Sequence, residues 1–297
     1  MKLKKLTENV YYIKAKTNIG VIKDDNQAIL IDSGLDDSIA KKILRILEEN
    51  DLKLKAIINT HSHADHYGAN AYLQKKTGAE VYAFRMESAV IKYPYLEPLT
   101  FFSGANPIGD LKNKFLMSDP SEVDYVIAEQ EDKLIFDNLE LEVVNLQGHS
   151  VNQIGIGVEG VLFCGDAIFS EELIKKHKLL YYMDIGKQKA TLNFLKRSNY
   201  DIYISSHIRE IDNIVEISDQ NLAYINQIEA AILEILSSRK RTEEVFKELC
   251  DKYSLELKGS QQYYLMKTVV MAYLSYLYEE DKLRNNIVDN YLYWELK

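Results

Sequence analysis

The sequence is poor in cysteine and contains no long apolar segment. Its 297 residues include only two cysteines, Cys164 and Cys250, so a disulfide framework is not expected and a reducing compartment fits best. No run of about 18 apolar residues occurs, and the basic stretch Met1–Lys5 is not followed by an apolar region. We therefore expect neither a membrane span nor a signal peptide, and we expect a cytoplasmic location.

Basic residues are fewer than acidic ones. Lys and Arg number 36 against 45 Asp and Glu, which gives a formal net charge of -9 at pH 7. Nucleic acids and anionic membranes select basic protein surfaces, so neither is an expected partner. Hydrophobic residues make up 46% of the chain and charged residues 27%, as is typical of a soluble globular enzyme. The length allows one large domain or two unequal ones.

Proline is scarce as well, and its placement marks one segment. All four prolines lie between Tyr93 and Pro120, within a region that we delimit as an insert at residues 92–125. A connection of this length is usually functional or disordered. Aromatic residues interleaved with the prolines favour an ordered segment that forms a wall over a functional site; they are Tyr93, Tyr95, Phe101 and Phe102.

Residues 1–214, apart from this insert, alternate between strand and helix patterns. Apolar residues at helical spacing predict helices over 36–49, 67–77 and 187–197. Period-2 alternation and short apolar runs predict the strands between them, namely Val10–Ala15, Gly20–Lys23, Gln27–Asp32, Lys55–Asn59, Glu80–Phe84, Lys133–Phe136, Leu139–Val144, Gln153–Val158, Val161–Cys164 and Asp201–Ser205. Strands and helices that alternate in this way predict an α/β domain in which two packed sheets are flanked by helices.

Residues 215–297 have a mainly helical pattern and are predicted to form a separate small domain. An isoleucine stripe indicates a first helix, Thr242 is a candidate cap of a second, and residues 261–278 form a third. The end of the chain, Ile287–Leu296, alternates like a β-hairpin, and three helices with a hairpin resemble a winged-helix module. Only Lys267 is basic in the third helix, so DNA binding is not expected. We expect this domain instead to form a wall of the substrate pocket or a homodimer contact.

Three of the six histidines lie within six residues. The pattern His61-x-His63-x-Asp65-His66 follows the predicted strand Lys55–Asn59, so its side chains radiate from a loop at a sheet edge. Imidazole suits zinc, iron, manganese or nickel, and a carboxylate adds charge to such a site. His61 and His63 can reach one metal together, and Asp65 and His66 then point to a second position nearby.

Candidate ligands also follow three later strands. His149 comes after a glycine at the end of one predicted strand, Asp166 after a glycine at the end of another, and His207 after the strand Asp201–Ser205. Sites in open sheets gather at strand ends, so we expect these side chains to meet the histidine cluster. The candidate metal ligands are His61, His63, Asp65, His66, His149, Asp166 and His207.

The order of these residues resembles the metallo-β-lactamase-fold hydrolases, in particular the glyoxalase II-like branch. The resemblance covers roughly residues 8–210 and implies an αβ/βα sandwich with two divalent metal ions at one edge, zinc in the first place and manganese or iron as alternatives. Asp32 matches a position that supports the ligands. The implied ligand sets are His61, His63 and His149 for one metal and Asp65, His66 and His207 for the other, with Asp166 bridging them.

The resemblance implies hydrolysis by a hydroxide held between the two metals, with Asp65 as the catalytic group that accepts the proton of the attacking water. Residues that other enzymes of this fold carry and this chain lacks narrow the expected small-molecule substrate to an ester, thioester or lactone. β-Lactamases of the fold carry Cys or Ser at the position of Asp166. Glyoxalase II-like enzymes continue with Gly-Cys-Gly-Arg where this chain has Ser170-Glu171-Glu172, and quorum-quenching lactonases tend to have Tyr at the position of Phe169.

Two other functions remain open. Sulfur dioxygenases of the same fold share the histidine pattern, so a mononuclear iron enzyme is one alternative; iron as the only metal and oxygen uptake with a persulfide would identify it. A DNA-binding regulator with a metal-sensing domain is the other, and DNA binding at moderate salt would support it. Cys164 is expected to be an inert buried thiol, and His177, in a charged run, is expected to be solvated.

Overall fold

The computed structural model describes residues 1–208, 210–211 and 213–297, and two β-sheets form its centre. The first sheet has seven strands that are hydrogen-bonded in chain order. They are antiparallel up to the fourth strand and parallel from there on. The strands are β1 (Leu3–Lys5), β2 (Val10–Ile13), β3 (Ile19–Asp24), β4 (Gln27–Ile31), β5 (Lys53–Asn59), β6 (Glu80–Phe84) and β7 (Tyr125–Ile127).

The second sheet contains six strands, β8 (Lys133–Phe136), β9 (Leu139–Asn145), β10 (Ile154–Val158), β11 (Val161–Gly165), β12 (Ile202–Ser205) and β13 (Glu210–Ile211). They are hydrogen-bonded in the order β13-β12-β11-β10-β9-β8. All neighbours are antiparallel except β11 and β12, which are parallel. Parallel strands need a long crossover. Here the crossover contains two helices, Glu171–His177 and Ile185–Leu195.

Ten helices lie around the two sheets in the described ranges. They are α1 (Asp37–Glu48), α2 (Ala64–Tyr67), α3 (Asn70–Thr77), α4 (Arg85–Lys92), α5 (Leu96–Phe101), α6 (Glu171–His177), α7 (Ile185–Leu195), α8 (Ile214–Ile235), α9 (Thr242–Lys252) and α10 (Ser260–Glu279). A short 3-10 turn spans Gly109–Leu111. Near the C-terminus, β14 (Lys240–Arg241), β16 (Tyr291–Leu296) and β15 (Leu283–Val288) form a small third sheet in that order. None of the helices in the described ranges could span a membrane.

Three apolar layers hold the sheets and helices together. One lies between the two sheets and includes Tyr12, Ile58 and Phe163. A second joins the outer face of the first sheet to α1 and α3. A third joins the outer face of the second sheet to α7, α8, α9 and α10 in one continuous cluster. The order is helix, sheet, sheet, helix, so the predicted αβ/βα sandwich with a helical C-terminal region is confirmed.

The structure differs from the sequence-based elements at several points, and among the elements that were not predicted are α4 and α6. Asp65 and His66 lie on the short helix α2 rather than in a loop, and the helix predicted over 67–77 begins only at Asn70. Gly68 is the C-cap of α2, and only glycine fits there because a Cβ would come within 2.0 Å of the Leu35 carbonyl oxygen. Thr242 is the first residue of α9 rather than its cap.

The insert is ordered and includes α5 as well as the 3-10 turn, which the sequence did not predict. The first half of α10 packs against it: Asn113 donates to Gln261 at 3.0 Å, Ser260 donates to Asp110 at 2.9 Å, and other insert side chains meet α10 nearby. The C-terminal helices therefore share contacts with both the insert and the second sheet. The division of the chain at residues 214 and 215, and the winged-helix likeness, stay predictions.

Candidate metal centre

Strands of both sheets end at one edge, and the seven predicted ligands meet there. His61 and His63 follow β5, and the short helix α2 carries Asp65 and His66. His149 lies in the turn between β9 and β10, Asp166 directly follows β11, and His207 follows β12. The loop of His149 needs glycine before it. Gly148 has a φ of +132°, and a Cβ there would lie 2.4 Å from the Cα of Gln188 in the first turn of α7.

The first group of candidate ligands consists of three histidines. His63 Nδ1 lies 3.0 Å from His61 Nε2 and 2.9 Å from His149 Nε2. His61 and His149 are buried, and His63 has 18% of its side chain exposed. Three ring nitrogens that converge in this way, one from each imidazole, form the donor set that zinc prefers.

The second group consists of Asp65, His66 and His207. Asp65 Oδ2 lies 3.8 Å from His66 Nε2 and 3.7 Å from His207 Nε2. His66 is fully buried, whereas 36% of the Asp65 side chain and 26% of the His207 side chain are exposed. This group is therefore the more open of the two to solvent.

Asp166 lies between the two groups. Its Oδ2 is 3.6 Å from His149 Nε2 and 3.2 Å from His207 Nε2, and its Oδ1 is 3.6 Å from His66 Nε2. Among the described residues, neither Asp166 Oδ1 nor His66 Nε2 has a hydrogen-bond partner, although both atoms are buried. Buried polar atoms are costly without partners. Two divalent cations would satisfy both atoms, so the residues present fit the metals that the sequence implies.

Asp32 orients one histidine of each group. Its Oδ2 accepts a hydrogen bond from His66 Nδ1 at 2.8 Å, which leaves His66 Nε2 free to face the centre. Thr60 donates to the same carboxylate through both its backbone N–H and its hydroxyl. The Thr60 hydroxyl oxygen can then accept from His61 Nδ1 at 3.1 Å, so the lone pair of His61 Nε2 also faces inward.

Backbone carbonyls orient two further histidines. His149 Nδ1 lies 2.9 Å from the carbonyl oxygen of Tyr181, and His207 Nδ1 lies 3.0 Å from that of Lys16. Each ring can donate its Nδ1 proton to the carbonyl, and it then turns its Nε2 toward the centre. Ligating histidines are commonly held by a partner of this kind, so the rings are already oriented as ligands.

The two groups differ in their protonation. Burial, followed by the nearby rings, lowers the pKa of His61 and lowers that of His149 to about 3. Burial also lowers the pKa of His63. Neutral imidazole is the form that binds metals, and the first group is therefore ready to bind at neutral pH.

In the second group, nearby carboxylates raise the histidine pKa values more than burial lowers them. Asp166 raises the pKa of His207 to about 9, against the effect of burial. Burial opposes a charge on His66, yet Asp32, Asp65 and Asp166 raise its pKa well above the usual value. Burial likewise opposes ionisation of Asp166, but His207 and His66 hold its pKa well below the usual range. The carboxylates of this group thus strongly favour positive charge at the centre.

Three side chains near the centre were missed by the sequence analysis. Thr17 donates to Asp65 Oδ2 at 2.7 Å. Glu87 on α4 is buried beneath the ligand loops. Glu97 on α5 has its Oε1 3.8 Å from His63 Nε2, and burial together with Glu87 raises its pKa to about 8. These residues stand alone in the sequence, without a motif around them, so only the fold reveals them.

The insert and the segment after α6 form one side of the centre. The Tyr181 ring centroid lies 5.4 Å from that of His63, 5.7 Å from that of His149 and 5.9 Å from that of Phe101. Phe101 belongs to α5 and packs with Leu111 of the 3-10 turn. The aromatic insert residue Phe101 therefore contacts a tyrosine that itself lies against two candidate ligands.

Cys164, predicted to be an inert buried thiol, and His177, predicted to be solvated, lie outside both groups. Cys164 is a buried free thiol, and burial raises its pKa. His177 ends α6 and is exposed; partial burial, Lys176 and His207 lower its pKa.

Comparison with known proteins identifies the family. A sequence profile described as the Metallo-beta-lactamase superfamily matches residues 14–207. A hydroxyacylglutathione hydrolase from Albidiferax ferrireducens is 28% identical over 157 residues, covering 51% of this chain and 48% of that protein. Another from Vibrio campbellii is 32% identical over 146 residues, covering 49% and 44%. The chain therefore spans about half the length of the curated relatives it matches.

Solved structures share the fold over nearly the whole chain. A metallo-beta-lactamase family protein from Thermus thermophilus superimposes with a TM-score of 0.75 at 20% identity, covering 99% of this chain and 100% of that one. A beta-lactamase domain protein from Burkholderia ambifaria gives a TM-score of 0.74 at 15% identity, covering 99% and 93%. The likeness at these identities concerns the fold, including its C-terminal helices.

Proposed function

The chain belongs to the metallo-β-lactamase superfamily, and on that premise we propose that it is a hydrolase with two divalent metal ions that cleaves a small ester, thioester or lactone. The observation that carries the proposal is the position of Asp166 between two groups of ligands, with Oδ2 at 3.6 Å from His149 Nε2 and 3.2 Å from His207 Nε2. A carboxylate in that position suits a bridge between two cations.

The donor atoms favour zinc, with manganese or iron as alternatives. Neutral imidazoles make up the first group, which suits zinc. The second group adds the carboxylate of Asp65, a harder ligand that manganese and iron also accept. His61, His63 and His149 would hold one metal, and Asp65, His66 and His207 would hold the other, with Asp166 shared.

The chemistry that two bound cations supply is Lewis acidity toward the substrate oxygen and a lowered pKa of water. Asp65 would accept the proton of the attacking water, because it is the more exposed of the two carboxylates of the centre. Its Oδ2 is held by Thr17, which leaves the carboxylate a fixed orientation. Burial opposes its ionisation, but His66 and His207 keep the pKa of Asp65 below the usual value, so the group is an acceptor at neutral pH.

The relatives favour a thioester within the proposed substrate class, since the two described above are named hydroxyacylglutathione hydrolases. This chain has Ser170-Glu171-Glu172 after Phe169, and Ser170 is the N-cap of α6, where its side chain accepts from the N–H of Leu173. In this chain, helix α6 therefore begins at that segment. We propose a thioester other than that of glutathione as the first class to test.

Metal analysis of His63→Ala tests the proposal. We expect the native chain to bind about two equivalents of zinc or manganese and the variant to lose one, because His63 Nδ1 lies within 3.0 Å of both other nitrogens of its group. Activity on any hydrolysed ester, thioester or lactone should fall by a factor on the order of 10² to 10³. His177→Ala, which removes a histidine outside both groups, should retain both metals.

Each alternative gives a different result. A native chain with iron alone, at one equivalent, and oxygen uptake with a persulfide would replace the hydrolase with a sulfur dioxygenase. Duplex DNA binding at moderate salt, without hydrolysis, would favour a regulator. Full metal content and full activity in His63→Ala would refute the proposed ligand set.

A further inference from the structure

Glu87 is a buried carboxylate whose two oxygens bind two different loops. Oε2 accepts hydrogen bonds from the backbone N–H and the hydroxyl of Ser62, at 2.9 and 2.5 Å. Oε1 accepts from the hydroxyl of Ser150 and the backbone N–H of Asn152, both at 2.8 Å. The side chain is contributed by α4, and only 2% of the residue is exposed.

The four donors flank the three histidines of the first group. Ser62 lies between His61 and His63 in the loop after β5, and Ser150 directly follows His149 in the turn after β9. These two strands belong to different sheets. Glu87 therefore ties the ends of the two sheets together at the point where the first group forms.

We propose that Glu87 is a positioning residue that sets the separation of the His61–His63 loop and the His149 turn, and so determines metal binding by the first group. This inference rests on the proposed function, because it concerns the same metals. A buried carboxylate is costly unless its oxygens are hydrogen-bonded, and four donors meet that requirement here. An acceptor with two oxygens is needed, since each loop presents two donors.

The second group is supported directly by a different carboxylate, Asp32, which reaches the first group only through the Thr60 hydroxyl and His61. Asp32 bonds directly to His66 Nδ1, and none of the four Glu87 donors belongs to the loop of His207 or to Asp65. Loss of Glu87 should therefore affect one metal position and leave the other intact. A general loss of stability would instead lower the affinity of both positions.

Glu87→Gln is the informative substitution because it keeps the size of the side chain. One oxygen remains as acceptor, but the amide N–H₂ faces the two donors of the other loop, so that loop is released. Glu87→Asp keeps both oxygens on a shorter stem and should rescue part of the effect. The matched control is Glu229→Gln, which removes a buried carboxylate paired with Lys189 at 2.6 Å between α7 and α8.

The measurement is metal affinity and the cobalt(II) absorption spectrum of the whole chain. We expect Glu87→Gln to bind the metal of the first group about 10- to 100-fold more weakly, and the cobalt absorption of the three-histidine position to change. The affinity of the other position should stay the same, and Glu87→Asp should lie between Glu87→Gln and the native chain. Glu229→Gln should lower the melting temperature and retain both metals.

A folded Glu87→Gln with native affinity at both positions and an unchanged cobalt spectrum would overturn the inference. If Glu87→Gln does not fold, Ser150→Ala removes one donor and should weaken the same position, whereas native binding would again overturn it. Failure of the proposed function looks different, because the native chain itself would then lack hydrolase activity. Selective loss of one metal in Glu87→Gln would still be measurable in that case.

Discussion

Asp32 is the residue in which backbone strain and ligand support coincide. Its φ of 62° lies in the left-handed region, which is unfavourable for a residue with a side chain. The conformation is held by a hydrogen bond from the Asp32 N–H to Ile58 and by three bonds to its carboxylate. Strain of this kind persists where surrounding contacts impose it, often at functional sites. Here it aims one carboxylate at both Thr60 and His66.

Asp32→Asn should weaken metal binding at the second group. The amide keeps the shape and tolerates the left-handed conformation, but its N–H₂ meets a donor in either orientation: the Thr60 N–H at the Oδ1 position or His66 Nδ1 at the Oδ2 position. The hydrogen bonds that orient His66 are therefore weakened. We expect metal affinity to fall about 10- to 100-fold, measured by competition with a chromophoric chelator. Asp36→Asn, which alters the N-cap of α1 and an ion pair with Lys114 away from the centre, serves as control. Unchanged affinity in Asp32→Asn would show that His66 is oriented by other contacts.

Helix α10 is the element that links the C-terminal region to the centre. Its Tyr264 ring packs edge-on against Phe102 of the insert, with ring centroids 5.1 Å apart. Tyr264 also packs on the apolar cluster of Phe101, Leu111 and Leu116, which Tyr181 joins as well. Through this cluster the C-terminal helix supports the aromatic wall beside His63 and His149. The first half of α10 is therefore occupied by contacts within the chain.

Tyr264→Ala should loosen this wall without disturbing the metals. We expect KM for the best substrate of the ester, thioester and lactone panel to rise by roughly 3- to 10-fold, since loss of one aromatic packing contact costs about 1 kcal/mol. Faster proteolysis of the insert should accompany the change. Tyr278→Ala is the control, because Tyr278 lies on the same helix but packs on Trp294. Equal KM values for both variants would contradict a role of α10 in the pocket.

The whole molecule brings five histidines and two carboxylates to one edge, where most of them are buried. That concentration of polar groups is unfavourable unless their lone pairs are satisfied. His66 Nε2 and Asp166 Oδ1 remain without partners among the described residues, although the histidines and Asp166 are otherwise well oriented. The two sheets meet at this edge, so bound metals would cross-link them. Metal binding should therefore contribute directly to the stability of the sandwich.

Metal removal should lower the melting temperature by on the order of 10 °C, because a ligand at about 1,000 times its Kd stabilises the folded state by about 4 kcal/mol. Differential scanning calorimetry before and after dialysis against a chelator measures the change. Adding back zinc should restore the original temperature. If the chelated and native chains melt at the same temperature while metal analysis confirms removal, the metals do not cross-link the sheets.

The sequence by itself determined the features that depend on short stretches of chain. The residue pattern predicted β6 and β8 with the observed bounds, and in β8 burial alternates along the strand, as expected of a strand with one buried face. The seven candidate ligands were found because histidines and aspartates stand directly after predicted strands, where sheets leave their side chains free. Their division into two ligand sets followed from the resemblance and stays a proposal; in the structure the side chains lie together in three overlapping groups, one of which joins His61, His66 and Asp166. Local sequence patterns therefore predicted both the fold class and the candidate metal ligands.

Only the tertiary structure decided which distant residues support that centre. Glu87 and Glu97 lie in α4 and α5, and the contact of Tyr264 with the insert joins segments more than 150 residues apart. No periodicity marks such residues, because a carboxylate that accepts hydrogen bonds from two loops needs those loops to be folded first. The short helix α2 was missed as well: four residues are too few for a helical periodicity, and the packing of Gly68 against the Leu35 backbone is visible only in the fold. Long-range packing sets these details, and the local sequence does not encode them.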